Sequence, residues 1–181
     1  MEIVLIVVLA VLLLAVVAAI VSYNRFVSQR NTIAESWRQV DVELQRRHDL
    51  IPNLVETVKA SARFEQSTLQ QVVRARAQAV AARESEQSGP EAQGAAEREL
   101  SGALRGFFGL AESYPELKTS QNFLELQRQL AETEDRIAAG RRFYNANVRA
   151  YNTRIGKIPS NIVAGLGKFT PAEYFAVDDP D

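Results

Sequence analysis

The chain has 181 residues with 21 Lys and Arg against 22 Asp and Glu, a formal net charge of −1, and no cysteine. Such a balance excludes the basic footprint of a nucleic-acid binder, and the missing cysteines exclude a disulfide framework. Beyond the N-terminal segment enough residues remain for one domain with one core, and too few for two.

From Ile3 to Val21 every residue is Ile, Val, Leu or Ala, a helix of roughly 28 Å, close to hydrocarbon thickness. A cleaved signal peptide would need a basic leader, a shorter apolar run and a small-residue cleavage site. Here the leader carries Glu2, and Ser22-Tyr23-Asn24-Arg25 follows the run. Residues 1–22 are therefore expected to be a retained transmembrane anchor, with residues 23–181 forming the bundle and its tail. No Cys follows Ala18 or Ala19, which excludes a lipoprotein. Arg25, Arg30 and Arg38 follow the span and no basic residue precedes it, so the positive-inside rule puts the N-terminus outside and the bundle in the cytoplasm, at the inner membrane. Ala15 and Ala19, with Ala18 beside them, give the span a small-residue face, from which a homo-oligomer is expected.

The next stretch reads as helix throughout. Phe26, Ile33 and Val40, then Trp37, Leu44, Ile51 and Val58, recur at heptad spacing and mark one buried stripe. Trp37→Ala is expected to cost about 3–5 kcal/mol if that ring is buried. Pro52 permits two readings: a break, with Asn53 and Glu56 resembling a capping pair, or a kink in one very long helix. Val72, Val73 and Val80 widen the first long helix's stripe beyond a narrow seam. Ser88-Gly89-Pro90 reads as a loop. Leu100, Leu104, Phe107, Phe108 and Ala111 form a shorter amphipathic segment that Tyr114-Pro115 should end. A second long stripe runs Phe123, Leu130, Ile137, Tyr144, Tyr151, with Val148 and Ile155 beside it. After Lys157 the chain changes character: from about Ile158 a non-helical tail is expected to lie back on the bundle, weighted by Phe169, Tyr174 and Phe175. No segment alternates apolar and polar residues long enough to be a strand.

The ordered motifs Arg46-Arg47-His48-Asp49-Leu50-Ile51-Pro52-Asn53-Leu54-Val55, Asn122-Phe123 with Leu126-Gln127, Arg142-Phe143-Tyr144-Asn145, Tyr151-Asn152 and Pro159-Ser160-Asn161 resemble those of the LemA family, over nearly the whole chain. The resemblance implies an all-α protein: an N-terminal transmembrane helix, then an antiparallel up-and-down bundle of about four long helices facing the cytoplasm. It also favours a break at Pro52. The family has no agreed biochemical activity and is associated only loosely with membrane proteases and envelope processes.

The residues themselves offer little chemistry. His48 is the single histidine, so neither a zinc site nor a Ser-His or Cys-His nucleophile can be assembled in the usual way. A di-iron bundle site needs paired Glu-x-x-His elements, and position 45 is Gln45. Gly102 and Gly106 lack the Lys-Ser or Lys-Thr of a phosphate loop. No catalytic, cofactor-binding or metal residue is expected, and no cofactor. Asp49 is expected to cap a helix after Pro52, with His48 at the preceding helix's C-terminal dipole. Arg46-Arg47, Arg74 with Arg76, and Arg141-Arg142 read as solvated or ion-paired surface, and Glu134 as a solvated carboxylate. Tyr144-Asn145 and Tyr151-Asn152 lie one heptad apart, and Tyr23-Asn24 repeats the dipeptide at the membrane boundary. Buried tyrosines paired through their hydroxyls, with asparagines fixing register or holding the tail's backbone, are the expected role. The sequence thus points to a non-catalytic, membrane-anchored scaffold or adaptor whose partners are the lipid bilayer, copies of itself and other membrane proteins, and not nucleic acid. A regulatory or sensory component of a membrane process is the alternative.

Overall fold

The computed structural model describes residues 1–59, 65–85 and 87–175. Its elements are α1 (Glu2–Lys59), α2 (Gln66–Glu84), α3 (Pro90–Ala111), α4 (Pro115–Lys118), α5 (Gln121–Gly156) and α6 (Ser160–Leu166), with no strand among the described residues. The fold is all-α, as expected, with α1, α2, α3 and α5 as its long helices.

Helix α1 runs unbroken for 58 residues, about 87 Å at 1.5 Å per residue. Its first third is exposed on every side from Ile3 to Val21, and that segment is long and apolar enough to cross a membrane. The rest is the first helix of the bundle. The break expected at Pro52 does not occur. Proline removes its own N–H, which would otherwise bond the carbonyl four residues back. That carbonyl belongs to His48, and the Arg76 side chain of α2 supplies the missing donor, its Nε lying 2.7 Å from the oxygen. With the orphan satisfied, the helix continues to Lys59, and Asp49 caps nothing.

Helices α2 and α3 form a hairpin whose tip lies at Ser88-Gly89. Pro90 takes the first turn of α3, where no intrahelical donor is needed. Val72, Val73 and Val80 belong to α2 rather than to the first long helix: Val72 is fully buried and Val73 is exposed. Helix α3 ends at Ala111, and α4 fills a single turn after Pro115. The Ser120 hydroxyl then caps α5 by accepting from the Phe123 N–H.

Long helix α5 returns antiparallel along α1. Gly140 lets the two approach closely, since a Cβ there would lie 3.0 Å from Val40 Cγ2. The helices enclose two separate cores. The core farther from the apolar segment joins Ile51, Leu54 and Val58 to Leu69 and Val72 of α2, Leu100, Leu104 and Phe107 of α3, and Phe123 and Leu130 of α5. The nearer core joins Phe26, Ile33, Val40 and Leu44 to Ile137, Tyr144, Val148 and Tyr151, and is closed by Ala164, Phe169 and Phe175.

The tail was expected to be non-helical, but Ser160–Leu166 forms helix α6 before the chain becomes extended. A left-handed residue stops it: Lys168 has φ 53°, the Phe169 N–H reaches the Ala164 carbonyl at 2.9 Å, and the Lys168 N–H reaches that of Gly165 at 3.2 Å. This 6→1 and 5→2 pair satisfies the last carbonyls and reverses the chain. Phe169 is thereby delivered onto Phe26, with ring centroids 4.9 Å apart, and onto Tyr23, at 5.3 Å.

Candidate functional site

A layer of buried polar side chains separates the two cores. Arg47 and His48 of α1 and Glu97 of α3 are each 97 % or more buried, being 1 %, 1 % and 3 % exposed. Burial places these charges at seam positions. Along α3 the inward residues are Gln93, Glu97, Leu100, Leu104, Phe107 and Ala111, spaced alternately four and three apart, so Glu97 stands where the pattern calls for an apolar residue. Arg47 does the same between Leu44 and Ile51 on α1.

The charges neutralise one another. The Arg47 guanidinium donates to Glu97 Oε2, to Glu134 Oε2 and, at 2.9 Å, to Ser101 Oγ. His48 Nε2 lies 2.8 Å from Glu97 Oε1. Burial pushes the Glu97 carboxyl up, but the hydrogen bond from His48 and the charge of Arg47 outweigh it and hold that carboxyl below its usual range. Glu134 is half exposed, as its charged helical face suggested, yet it closes the layer by accepting from both Arg47 and the Ser101 hydroxyl, the latter at 3.2 Å. Among the described residues, Arg47 Nε, His48 Nδ1 and Gln93 Nε2 find no hydrogen-bond partner.

Three expectations are corrected here. Arg46 is exposed while Arg47 is buried, so the pair is not surface as a unit. His48 sits in mid-helix against a carboxylate and does not stabilise a helix end. Glu97 and Ser101 were not singled out from the sequence, and Arg76, read there with Arg74 as solvated or ion-paired surface, instead donates to the His48 carbonyl. A polar residue interrupting the α3 seam was the available signal for Glu97; for Arg76 the signal was only the unpaired carbonyl that Pro52 implies.

A cavity of about 30 Å³ adjoins the layer, lined in part by Arg47, Glu97, Ser101 and Glu134. That is about the share of liquid volume taken by one water molecule, far below the roughly 300–1,000 Å³ of a ligand pocket. A larger groove of about 250 Å³ opens between α3 and α5, with Leu104, Phe108, Leu130 and Ala131 as its apolar lining. No group of three or more His, Cys, Asp or Glu placed to hold a metal occurs among the described residues.

Asn145, Asn152 and Tyr144 hold the tail, as expected, while Tyr151 packs its ring on Phe26. Asn152 accepts from the Ala172 N–H and donates to the Ala172 carbonyl, both at 2.9 Å. Asn145 does the same to Phe175, at 3.0 and 3.2 Å. Seven helical residues rise about 10.5 Å and three extended residues about 10 Å, so one heptad on α5 matches the step from Ala172 to Phe175. Between them the Tyr144 hydroxyl donates to the Glu173 carbonyl at 2.9 Å. Phe175 also packs on Trp37, at 5.3 Å between centroids, and ends beside the polar layer.

Residues 36–181 match the family model described as LemA family. Among curated proteins the chain is 28 % identical to Magnetosome protein MamQ of Magnetospirillum gryphiswaldense, over 92 % of this chain and 71 % of that one. It is 29 % identical to each of Magnetosome proteins MamQ 1 and MamQ 2 of Paramagnetospirillum magneticum, over 84 % of this chain. The alignment spans 64 % of those two relatives' length.

Proposed function

The chain belongs to the LemA family, and we propose that it is a non-catalytic scaffold, held in the bacterial inner membrane by the first third of α1 with its bundle in the cytoplasm. The observation that carries this reading is the polar layer. Its buried charges pair with one another, the cavity lined by Arg47 and Glu97 has room for about one water, and the groove of about 250 Å³ meets the layer only at Ser101 and Glu134. Such a layer fixes the register of the helices, a recognised use of buried polar groups. The relatives carry the name of a cellular structure and not of a reaction, which supports the same view.

Orientation rests on Arg25, Arg30 and Arg38 beyond the span. A cysteine at Gln87, exposed at the hairpin tip, is expected to resist a membrane-impermeant thiol reagent in intact cells; ready labelling overturns the topology. Clustering rests on the Ala15, Ala18 and Ala19 face of the span. Cross-linking in native membranes is expected to trap oligomers that Ala15→Leu with Ala19→Leu disperses. A parent that stays monomeric at native abundance sinks the clustering, and oligomers indifferent to the substitutions move the contact to the bundle. His48→Asn tests the absence of catalysis: the native-size complexes and the strain's growth should both survive it. Lost growth with complexes and stability intact would return the layer to chemistry.

A further inference from the structure

The floor of the bundle, where α5 ends and α6 crosses beneath it, leaves an apolar face uncovered. Ile158, Ile162 and Leu166 are 83 %, 62 % and 83 % exposed, whereas Ala164 on the other side of α6 is buried and Val163 packs on the core. Ile162 and Leu166 are four apart and so share one side of α6, and Ile158 is exposed in the turn just before it. An exposed apolar face of this kind marks a contact surface.

Its height relative to the apolar segment follows from the packing of α1 on α5. Phe26 meets Tyr151, with centroids 6.0 Å apart, and the Arg154 guanidinium lies 5.2 Å from the Phe26 ring. Five residues beyond Tyr151, about 7 Å along the axis, α5 ends at Gly156. That is the level at which the run of Ile, Val, Leu and Ala closes at Val21. Ile158 and α6 therefore lie where the span leaves the hydrocarbon, and their apolar face continues the exposed apolar surface of α1.

Among the described residues, the two stretches of chain that flank this face carry charge of one sign. No acidic residue occurs between Glu2 and Glu35, or between Asp135 and Glu173. Within those stretches Arg25, Arg149, Lys157 and Lys168 are exposed. Lys168 holds the left-handed position that ends α6, a backbone conformation that favours glycine, so a cation stands where the backbone alone would select against it.

We propose that α6 and the turn before it rest on the bilayer as an interfacial foot, with Ile158, Ile162 and Leu166 dipping below the headgroups and the four cations facing anionic lipid phosphates. Such a foot combines an apolar face with flanking basic residues, the two elements of interfacial membrane binding. It fixes the tilt of the bundle, which a single helical span leaves free. The inference rests on the anchoring proposed above.

The full chain, which has no native cysteine, permits a direct test. Single cysteines at Leu12, Ile162 and Gln87 are labelled with an environment-sensitive fluorophore and reconstituted in phosphatidylcholine vesicles with and without phosphatidylserine. The Ile162 probe is expected to show blue-shifted emission and quenching by lipids brominated near the headgroup end of the chains. Leu12 should respond to deeply brominated lipids, and Gln87 to neither. Removing phosphatidylserine, or replacing Lys157 and Lys168 by Gln, should reduce the Ile162 quenching. An Ile162 probe in water with Leu12 in lipid overturns the foot and leaves the anchor; both probes in water overturn the anchor. A blue shift that vanishes on diluting the protein in lipid assigns the face to a second copy and overturns the foot. Quenching indifferent to phosphatidylserine removes the anionic lipid. Ile158→Ser with Leu166→Ser should leave the melting temperature in detergent unchanged while abolishing the Ile162 quenching, and retained quenching rejects the face.

Discussion

Above the polar layer four helices surround a largely aliphatic core, whereas below it α2 and α3 soon end in their hairpin, with Arg83 on Asp41 and Gly89 beside Glu173, and the second core is enclosed by α1, α5, α6 and an extended strap, Phe169–Phe175. The two halves use different residues because helices and extended chain need different things from their neighbours. A helix satisfies its own backbone, so the upper half needs only apolar seams from α1, α2, α3 and α5. An extended segment brings unpaired N–H and C=O groups into the packing, and each buried one left unmatched is costly. Asparagine carries both a donor and an acceptor, so Asn145 and Asn152 each serve the N–H and carbonyl of one tail residue. Aromatic rings then fill the wide gap between two helices: Phe26, Phe169 and Tyr151 at the lower end, Trp37, Tyr144 and Phe175 higher up.

The comparison breaks most readily at the layer joining the halves. Glu97→Leu leaves Arg47 buried with only the half-exposed Glu134 and should cost about 3–5 kcal/mol. Adding Arg47→Met should recover much of that loss, because the pair together is replaceable by apolar packing. Thermal unfolding of the full chain in detergent reads both, and a double variant no better than the single removes the charge argument.

Trp37 probes the lower half. Its ring packs on Tyr144 and Phe175 with centroids 5.2 and 5.3 Å away but stays partly exposed, so Trp37→Ala should cost about 2–3 kcal/mol, less than a fully buried ring would. Proteolysis of the tail should rise with it. A loss with the tail still protected would place the ring's contribution in the α1 and α5 contact alone.

Arg76 tests the upper half. Arg76→Met removes a charged donor from the His48 carbonyl and should cost about 1.5–3 kcal/mol. In a Pro52→Ala background that residue's own N–H can serve the carbonyl, so the cost should shrink. Equal losses in both backgrounds would mean that Arg76 acts elsewhere.

The smallest effect is a pH edge confined to the strap. Burial, with the nearby Glu173 carboxylate adding to it, raises the Tyr144 hydroxyl from 10.0 to about 12. A raised folded value means that the fold favours the protonated form. That contribution is therefore complete below pH 10 and is lost as pH rises toward 12. Tail protection against protease should fall across this window, and Tyr144→Phe should remove the step. Glu97 has the opposite sense. Its lowered carboxyl stabilises the layer above the ordinary carboxylate range, and acid removes that stabilisation as pH falls through the folded value.

Much of this architecture was legible in the chain. The uninterrupted apolar run, the heptad stripes of α1 and α5, the Gly89-Pro90 turn and the Tyr-Asn heptad are local patterns, and local patterns survive whatever packs around them. Three features were not legible. Arg46 and Arg47 are neighbours of the same chemistry, and a rotation of about 100° between them sends one to solvent and one to the core; only the position of α3 and Glu97 decides which. Pro52 breaks a helix when its orphaned carbonyl stays unmet and is tolerated when a donor arrives, and that donor comes from 24 residues away at Arg76. Helix α6 forms because burying Ala164 and Val163 beneath the bundle orders a short segment that would not hold a helix alone. In each case sequence supplied the groups able to interact, and tertiary packing decided which of them met.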